Sequence, residues 1–115
     1  MDTKEFEMLT KQYEHMSVAE LEEEFQIQLA EAEKGVIKTS HRGSSFWDEM
    51  KAKIVDGIVR NQDLASATIG MITSEVLVKL SAAGVDLSQY KLAIAVFIGI
   101  VAKAVWKTLE ERAKK

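Results

Sequence analysis

The hydrophobic pattern of this chain is dominated by one uninterrupted apolar run near its C-terminal end. Eleven consecutive residues at positions 92–102, LAIAVFIGIVA, carry no charged or polar side chain, and Lys91 and Lys103 bound them. As a helix, this run makes about three turns and is about 16 Å long. A membrane span needs about 20 apolar residues. Because the run has no polar face, the helix requires cover on every side.

We favour a central helix that is wrapped by the rest of the chain. Cover by a second subunit and a membrane-inserting hairpin are the alternatives. A membrane partner is disfavoured because the segment contains Lys103 even when it is extended through Trp106. We expect this helix to cover about residues 87–112, with Asp86 or Ser88 as its N-cap.

Two amphipathic helices are predicted in the N-terminal third. Apolar residues in 1–16 recur at intervals of three and four, which is typical of a short helix. A helix this short is weakly stable alone, so 1–16 is expected to be either a packed helix or a mobile N-terminal arm. The segment Ser17-Val18-Ala19-Glu20 is a capping-box pattern at the start of a second helix over 18–34.

Two further helices are predicted before the apolar run. The third begins near Ser45 and has an apolar stripe through Trp47 and Ile54, and residues 61–63 break it. The fourth covers about 64–83 and ends at Gly84. Three glycines fall inside predicted helices, where each costs about 1 kcal/mol relative to alanine. We expect these glycines to mark close approaches of helix backbones: Gly57, Gly70 and Gly99.

Composition supports an all-α fold. The 115 residues include no proline, 47% are hydrophobic and 29% are charged. Sandwiches and barrels use proline heavily in their turns, and a normal apolar content makes global disorder unlikely. We therefore predict a single helical domain over 1–115, a compact bundle of about five helices with the apolar C-terminal helix near its centre.

Charge is distributed unevenly along the chain. Residues 1–34 hold ten acids and three bases, whereas residues 35–115 hold eight acids and twelve bases. The acidic part can lie against the basic part within one chain or between two chains. A net charge of −3 is not the pattern of a nucleic-acid-binding domain.

The sequence offers no recognisable catalytic or cofactor motif. It has no cysteine, which excludes disulfides, thiolate metal ligands and a cysteine nucleophile. Its two histidines, His15 and His41, lack metal-ligand spacing, and there is no glycine-rich phosphate loop or serine elbow. We expect no metal, no cofactor and no enzymatic activity. The first residues lack the pattern of a signal peptide, so the expected location is cytoplasmic.

The segment 38–45 is the best candidate for a ligand contact. It brings cations and hydroxyls to the start of the third helix, where free amides favour anions. The candidate anion contacts are Lys38, His41, Arg42, Ser44 and Ser45. The alternative interpretation is a polar connecting loop whose serines cap the helix. No aromatic residues interleave with the cations, so only the backbone of a nucleic acid is a plausible target.

Aromatic residues could also form a small-molecule pocket. Phe46, Trp47, Phe97 and Trp106 occur at helical spacing, however, and this spacing favours a place in the core. We therefore assign them to the core rather than to a ligand.

These exclusions favour a non-catalytic interaction protein, such as an adaptor, regulator or accessory subunit, that binds a protein partner. The candidate partner face is the acidic run Glu22, Glu23 and Glu24 of the second helix. Adjacent residues point in different directions around a helix, so a solvated acidic surface is the alternative.

Self-association is a further expectation. The fourth helix is broadly apolar and also needs cover, so apolar surface is expected to remain for a two-fold homodimer. The candidate contacts are Ile69, Ile72, Val76, Phe97 and Val101. A monomer whose apolar faces are fully covered is the alternative.

Overall fold

The computed structural model describes residues 3–34 and 44–114, which form five α-helices and no β-strand. The helices are α1 (Thr3–Lys11), α2 (Val18–Ala32), α3 (Ser44–Asn61), α4 (Ile69–Ala82) and α5 (Lys91–Ala113). The predicted all-α class is confirmed.

Helix α5 is the axis around which the bundle is built. It packs against each of the other four helices. Four consecutive residues, Ile94, Ala95, Val96 and Phe97, point in directions about 100° apart around this helix, and each is at most 2% exposed. The prediction of an apolar C-terminal helix near the centre is confirmed, and the physical reason is the one expected: a helix without a polar face is stable in water only when it is surrounded.

Helix α5 is longer than the apolar run. The argument that the run is too short to span a membrane therefore does not apply to the whole helix. By length and composition its 23 residues could cross a membrane. In the structure, 61% of its most apolar window is buried inside the protein, as is typical for the core helix of a soluble protein. Helix length alone does not separate a core helix from a membrane span, and burial of this extent is what a core helix shows.

Helix α1 lies against α4 and α5. Its Phe6 side chain is 0% exposed. The Thr10 hydroxyl lies 2.8 Å from the Phe6 carbonyl and 3.2 Å from the Ala95 carbonyl, so it donates within α1 and across to α5. Glu5 forms an ion pair with Lys91 at the start of α5. In this structure α1 is a packed helix rather than an extended arm.

The predicted capping box at the start of α2 is present. The Ser17 hydroxyl accepts from the Glu20 amide at 3.2 Å, and the Ser17 amide donates to the Glu20 carboxylate at 2.9 Å. The bond from the Ser17 amide favours the ionised carboxylate and, with a smaller contribution from the Ser17 hydroxyl, holds the pKa of Glu20 below its ordinary value.

Helix α4 begins five residues later than predicted because a local turn takes the residues before it. The Asp63 carboxylate accepts from the Ser66 amide at 2.9 Å and from its hydroxyl at 2.8 Å. Thr68 then caps α4 by accepting from the Met71 amide at 3.2 Å. Short polar side chains that bond nearby amides compete with helix formation in this way.

Helix α5 also begins later than predicted. The Asp86 carboxylate accepts from the amides of Ser88 and Gln89 at 3.0 and 3.1 Å, which caps a single preceding turn. The expected stop at Gly84 is present: its φ of 84° is left-handed, and the next amide, of Val85, bonds back to the Leu80 carbonyl at 3.0 Å.

The expectation that three helix glycines mark close backbone approaches is wrong. A Cβ at Gly57 would meet no atom within 4 Å. At Gly99 it would make ordinary contacts, the nearest being with Leu21 side-chain carbons at 3.7 Å. At Gly70 the neighbour is the mobile end of the Glu7 side chain, 2.9 Å away, rather than a helix backbone.

Candidate protein-binding cleft

A cleft of about 430 Å³ separates α2 from α3. Both helices pack on α5, but within the described residues their backbones do not pack on each other. The floor of the cleft is formed by Phe25 of α2, Trp47 of α3, and Phe97 and Ile100 of α5. We call this opening the α2–α3 cleft.

The floor is a rigid aromatic cluster. The Trp47 ring lies edge-on to Phe25 and to Phe97, with centroid distances of 5.3 Å in both pairs. The Phe25 and Phe97 rings are 5.7 Å apart. Each such pair contributes about 0.5–1.5 kcal/mol beyond the area it buries. These contacts hold the floor of the cleft in one shape.

The indole nitrogen of Trp47 is unusual in this cluster. Trp47 is only 1% exposed, and no acceptor for its N–H lies among the described residues. A buried donor without an acceptor costs about 1–3 kcal/mol. The two edge-on contacts of Trp47, at about 0.5–1.5 kcal/mol each, are of the same order as that cost.

The rim of the cleft is acidic. Glu22 and Glu23 line its α2 side, and Asp48 and Lys51 line its α3 side. The rim therefore carries three carboxylates and one ammonium group. Helix α2 carries five glutamates and no basic residue, which extends the negative potential along the whole helix.

Glu24 does not belong to this rim. It is half-buried, and its carboxylate accepts from the Gln28 amide group at 2.8 Å. It influences Tyr13, whose phenol pKa is raised by burial and, to a smaller extent, by the Glu24 charge. The structure thus divides the acidic run: Glu22 and Glu23 line the cleft, whereas Glu24 lies towards the segment that follows α1.

The residues predicted to mediate self-association lie mostly inside the chain. Ile72, Val76 and Val101 are 0% exposed and Phe97 is 2% exposed, whereas Ile69 is half-buried. The four helices around α5 cover these side chains, so they are not available as an apolar surface. A homodimer stays a prediction, and it would have to use other residues.

Most of the candidate anion site falls outside the described residues, because these do not include 38–43. Ser44 is the first residue of α3, and Ser45 follows it with an exposed side chain. The predicted anion site therefore stays a prediction. Among the described residues, no cluster of three or more His, Asp or Glu side chains is arranged to hold a metal ion.

Sequence reasoning missed the α3 side of the cleft. It assigned Trp47 to the core, which is correct, but it placed no α3 residue in a partner face. Asp48 and Lys51 are three residues apart and so share one face of a predicted helix. That spacing was a usable signal for a polar edge, although only the packing of α3 on α5 places this edge opposite Glu22 and Glu23.

Comparison with protein-family models, curated proteins and solved structures found no match. Function is therefore inferred from the geometry of the molecule alone.

Proposed function

We propose that this protein is a non-catalytic interaction protein that captures a basic, amphipathic segment of a protein partner in the α2–α3 cleft. The observation that supports this proposal best is the combination of a rigid apolar floor with three carboxylates at its edge. An adaptor, a regulator or an accessory subunit of a cytoplasmic complex would use a binding cleft of this kind.

The size of the cleft favours a few inserted side chains. Its volume of about 430 Å³ lies at the lower end of the roughly 300–1,000 Å³ that is typical of ligand pockets. An amphipathic helix that lays one apolar face into a groove uses anchors at this scale. The floor residues are themselves only 1–5% exposed, so inserted side chains would contact their edges and gain a modest apolar contribution to affinity.

The rim would mainly determine which segment binds. Exposed ion pairs contribute only about 0.2–1 kcal/mol each, but complementary charge accelerates encounter and excludes partners of like charge. Because carboxylates outnumber the single ammonium group of Lys51, a segment bearing lysine or arginine beside its apolar face is favoured. Acidic segments are disfavoured.

Charge reversal at the rim tests the proposal. The probe is a fluorescein-labelled amphipathic peptide of leucine and lysine, and binding is measured by fluorescence anisotropy at low salt. We expect the Glu22→Lys/Glu23→Lys protein to bind at least about ten-fold more weakly, because two attractions become repulsions, a change of about 1.4 kcal/mol or more.

The control has the same net charge but leaves the rim intact. Glu24→Lys/Glu31→Lys reverses two other glutamates of α2, neither of which lines the cleft. It should keep most of the wild-type affinity. Equal losses in the two double variants would mean that overall charge alone attracts the peptide, and they would refute the α2–α3 cleft as the binding site. Circular dichroism of both variants checks that the fold is retained.

A further inference from the structure

A second cavity of about 220 Å³ lies on another side of α5, between the segment that follows α1 and the start of α4. Its apolar walls include Tyr13, Ile69, Ala102 and Trp106, and Gly99 lines it from α5, about one helical turn before Ala102. It shares no lining residue with the α2–α3 cleft. We call it the Gly99 pocket.

The walls of the Gly99 pocket are fixed by contacts of their own. The Trp106 indole donates to the Ala67 carbonyl at 2.7 Å, which holds the ring against the segment before α4. The Tyr13 phenol, whose pKa is raised by burial, stays protonated at neutral pH. The pocket is therefore largely formed in the free protein, as is usual for small-molecule sites.

Two lysines lie at the mouth of the Gly99 pocket. Lys11 and Lys103 both line the pocket, together with one opposing carboxylate, Glu14. Lys103 is half-buried and its ammonium group donates to the Glu14 backbone carbonyl at 3.4 Å, which leaves further N–H donors for a ligand. Lys11 is exposed and adds longer-range attraction. The mouth is thus suited to a group of single negative charge.

Gly99 has no steric reason to be glycine. It lies in the middle of α5, where glycine costs about 1 kcal/mol relative to alanine. An added Cβ would sit 3.7 Å from Leu21 and 3.9 Å from Thr10, which are ordinary contacts. What a methyl group at this position would change is the room in the pocket. Gly99 and Thr10 both line the pocket, so glycine leaves this part of its α5 wall without a side chain.

We propose that the Gly99 pocket binds a small amphipathic carboxylate, with its hydrocarbon part between Tyr13 and Trp106 and its carboxylate on Lys103. An engineered cavity of about 150 Å³ holds benzene, so about 220 Å³ accommodates a short alkyl chain or a single substituted ring. The carboxylate gains a charge-assisted hydrogen bond from the half-buried ammonium group.

Binding of octanoate tests this proposal. Titration into ¹⁵N-labelled protein should shift the amide signals of residues that line the pocket and leave those of the α2–α3 cleft unchanged. Gly99→Ala should bind octanoate about ten-fold or more weakly, as expected when one methyl group too many occupies a pocket. The same variant should be at least as stable to urea as the wild type. Octanoate that shifts no signal at millimolar concentration overturns the proposal.

Two variants separate the pocket from general effects. Gly57→Ala makes the same chemical change in a helix where no atom is near, and it should keep the wild-type affinity for octanoate. Lys103→Met should weaken octanoate but not octanol, because only octanoate needs the ammonium group. If Gly99→Ala and Lys103→Met both bind octanoate with the wild-type affinity, octanoate binds at another site and the proposal is overturned.

Discussion

Replacing Phe6 by alanine should destabilise the whole bundle, although Phe6 lies in a helix of only nine residues. Its side chain is 0% exposed and α1 packs on both α4 and α5, so the substitution leaves a cavity where three helices meet. Truncation of a buried phenylalanine costs about 3–5 kcal/mol. Small domains are stable by about 5–15 kcal/mol in total, so we expect a loss of about a fifth or more of the free energy of unfolding.

Urea unfolding, followed by far-UV circular dichroism and tryptophan fluorescence, measures this loss. Met8→Ala is the matched control, because Met8 lies on the same helix but is 69% exposed. It should change the free energy of unfolding by no more than about 0.5 kcal/mol. Equal midpoints for the two variants would refute the docking of α1 on the bundle. An early loss of helix signal confined to Phe6→Ala would instead show that α1 detaches before the rest unfolds.

Three shorter predictions concern buried hydroxyls, acid and mass. The Thr73 hydroxyl is buried without a partner among the described residues, so Thr73→Val should raise the free energy of unfolding by about 1 kcal/mol. The Thr10 hydroxyl is hydrogen-bonded, so Thr10→Val should lower the free energy of unfolding by about as much. The urea midpoints of the two variants should therefore shift in opposite directions from that of the wild type. The pKa of Glu20 is lowered in the folded state, chiefly by its bond to the Ser17 amide, so the ionised carboxylate stabilises the fold above the ordinary glutamate pKa, and this stabilisation is lost as pH falls through the lowered value. The stability of Glu20→Gln should therefore fall less than that of the wild type on acidification. Parallel pH profiles of stability would contradict this role of Glu20. A homodimer predicts twice 12.8 kDa by light scattering, and 12.8 kDa that persists on dilution would refute it.

The parts of the fold that could be predicted are those that depend on a single segment. An eleven-residue run with no polar face requires cover on all sides whatever the rest of the chain does. The Ser17 capping box needs only residues three apart to meet. The glycine stop at Gly84 needs only a backbone conformation that glycine adopts freely. None of these inferences depends on knowing a neighbour.

The starts of α4 and α5 were wrongly predicted because the same side chains can end one structure or begin another. Asp63 and Asp86 both accept amide bonds from residues two or three positions later, and in both cases these bonds close a turn. A sequence pattern identifies such residues as caps but does not say whether a long helix or a single turn follows. Whether a long helix or a single turn follows depends on competition from the next cap, such as Thr68.

The candidate sites depend on packing and were therefore only partly predictable. Glu22, Glu23 and Glu24 are equivalent in composition, yet a rotation of about 100° per residue around α2 separates them into a cleft rim and a side that faces Tyr13. The Gly99 pocket was not predicted because glycine was attributed to close packing. The pocket is recognised only from the empty space beside Gly99, and residues of α1, α4 and α5 together enclose that space.

The two lysines that bound the apolar run explain how the short α1 finds its place on α5. Lys91 pairs with Glu5, and Lys103 donates to the Glu14 carbonyl. Between these contacts, Thr10 donates to Ala95. Residues 5, 10 and 14 thus meet positions of increasing number along α5, so the N-terminal segment runs parallel to it over about 18 Å. The acidic N-terminal part and the basic C-terminal part of the chain meet within one molecule at the Glu5–Lys91 ion pair. This pair leaves the five glutamates of α2 unneutralised, so the charge asymmetry does not decide between one copy and two, and the case for a homodimer depends on the measurement of mass.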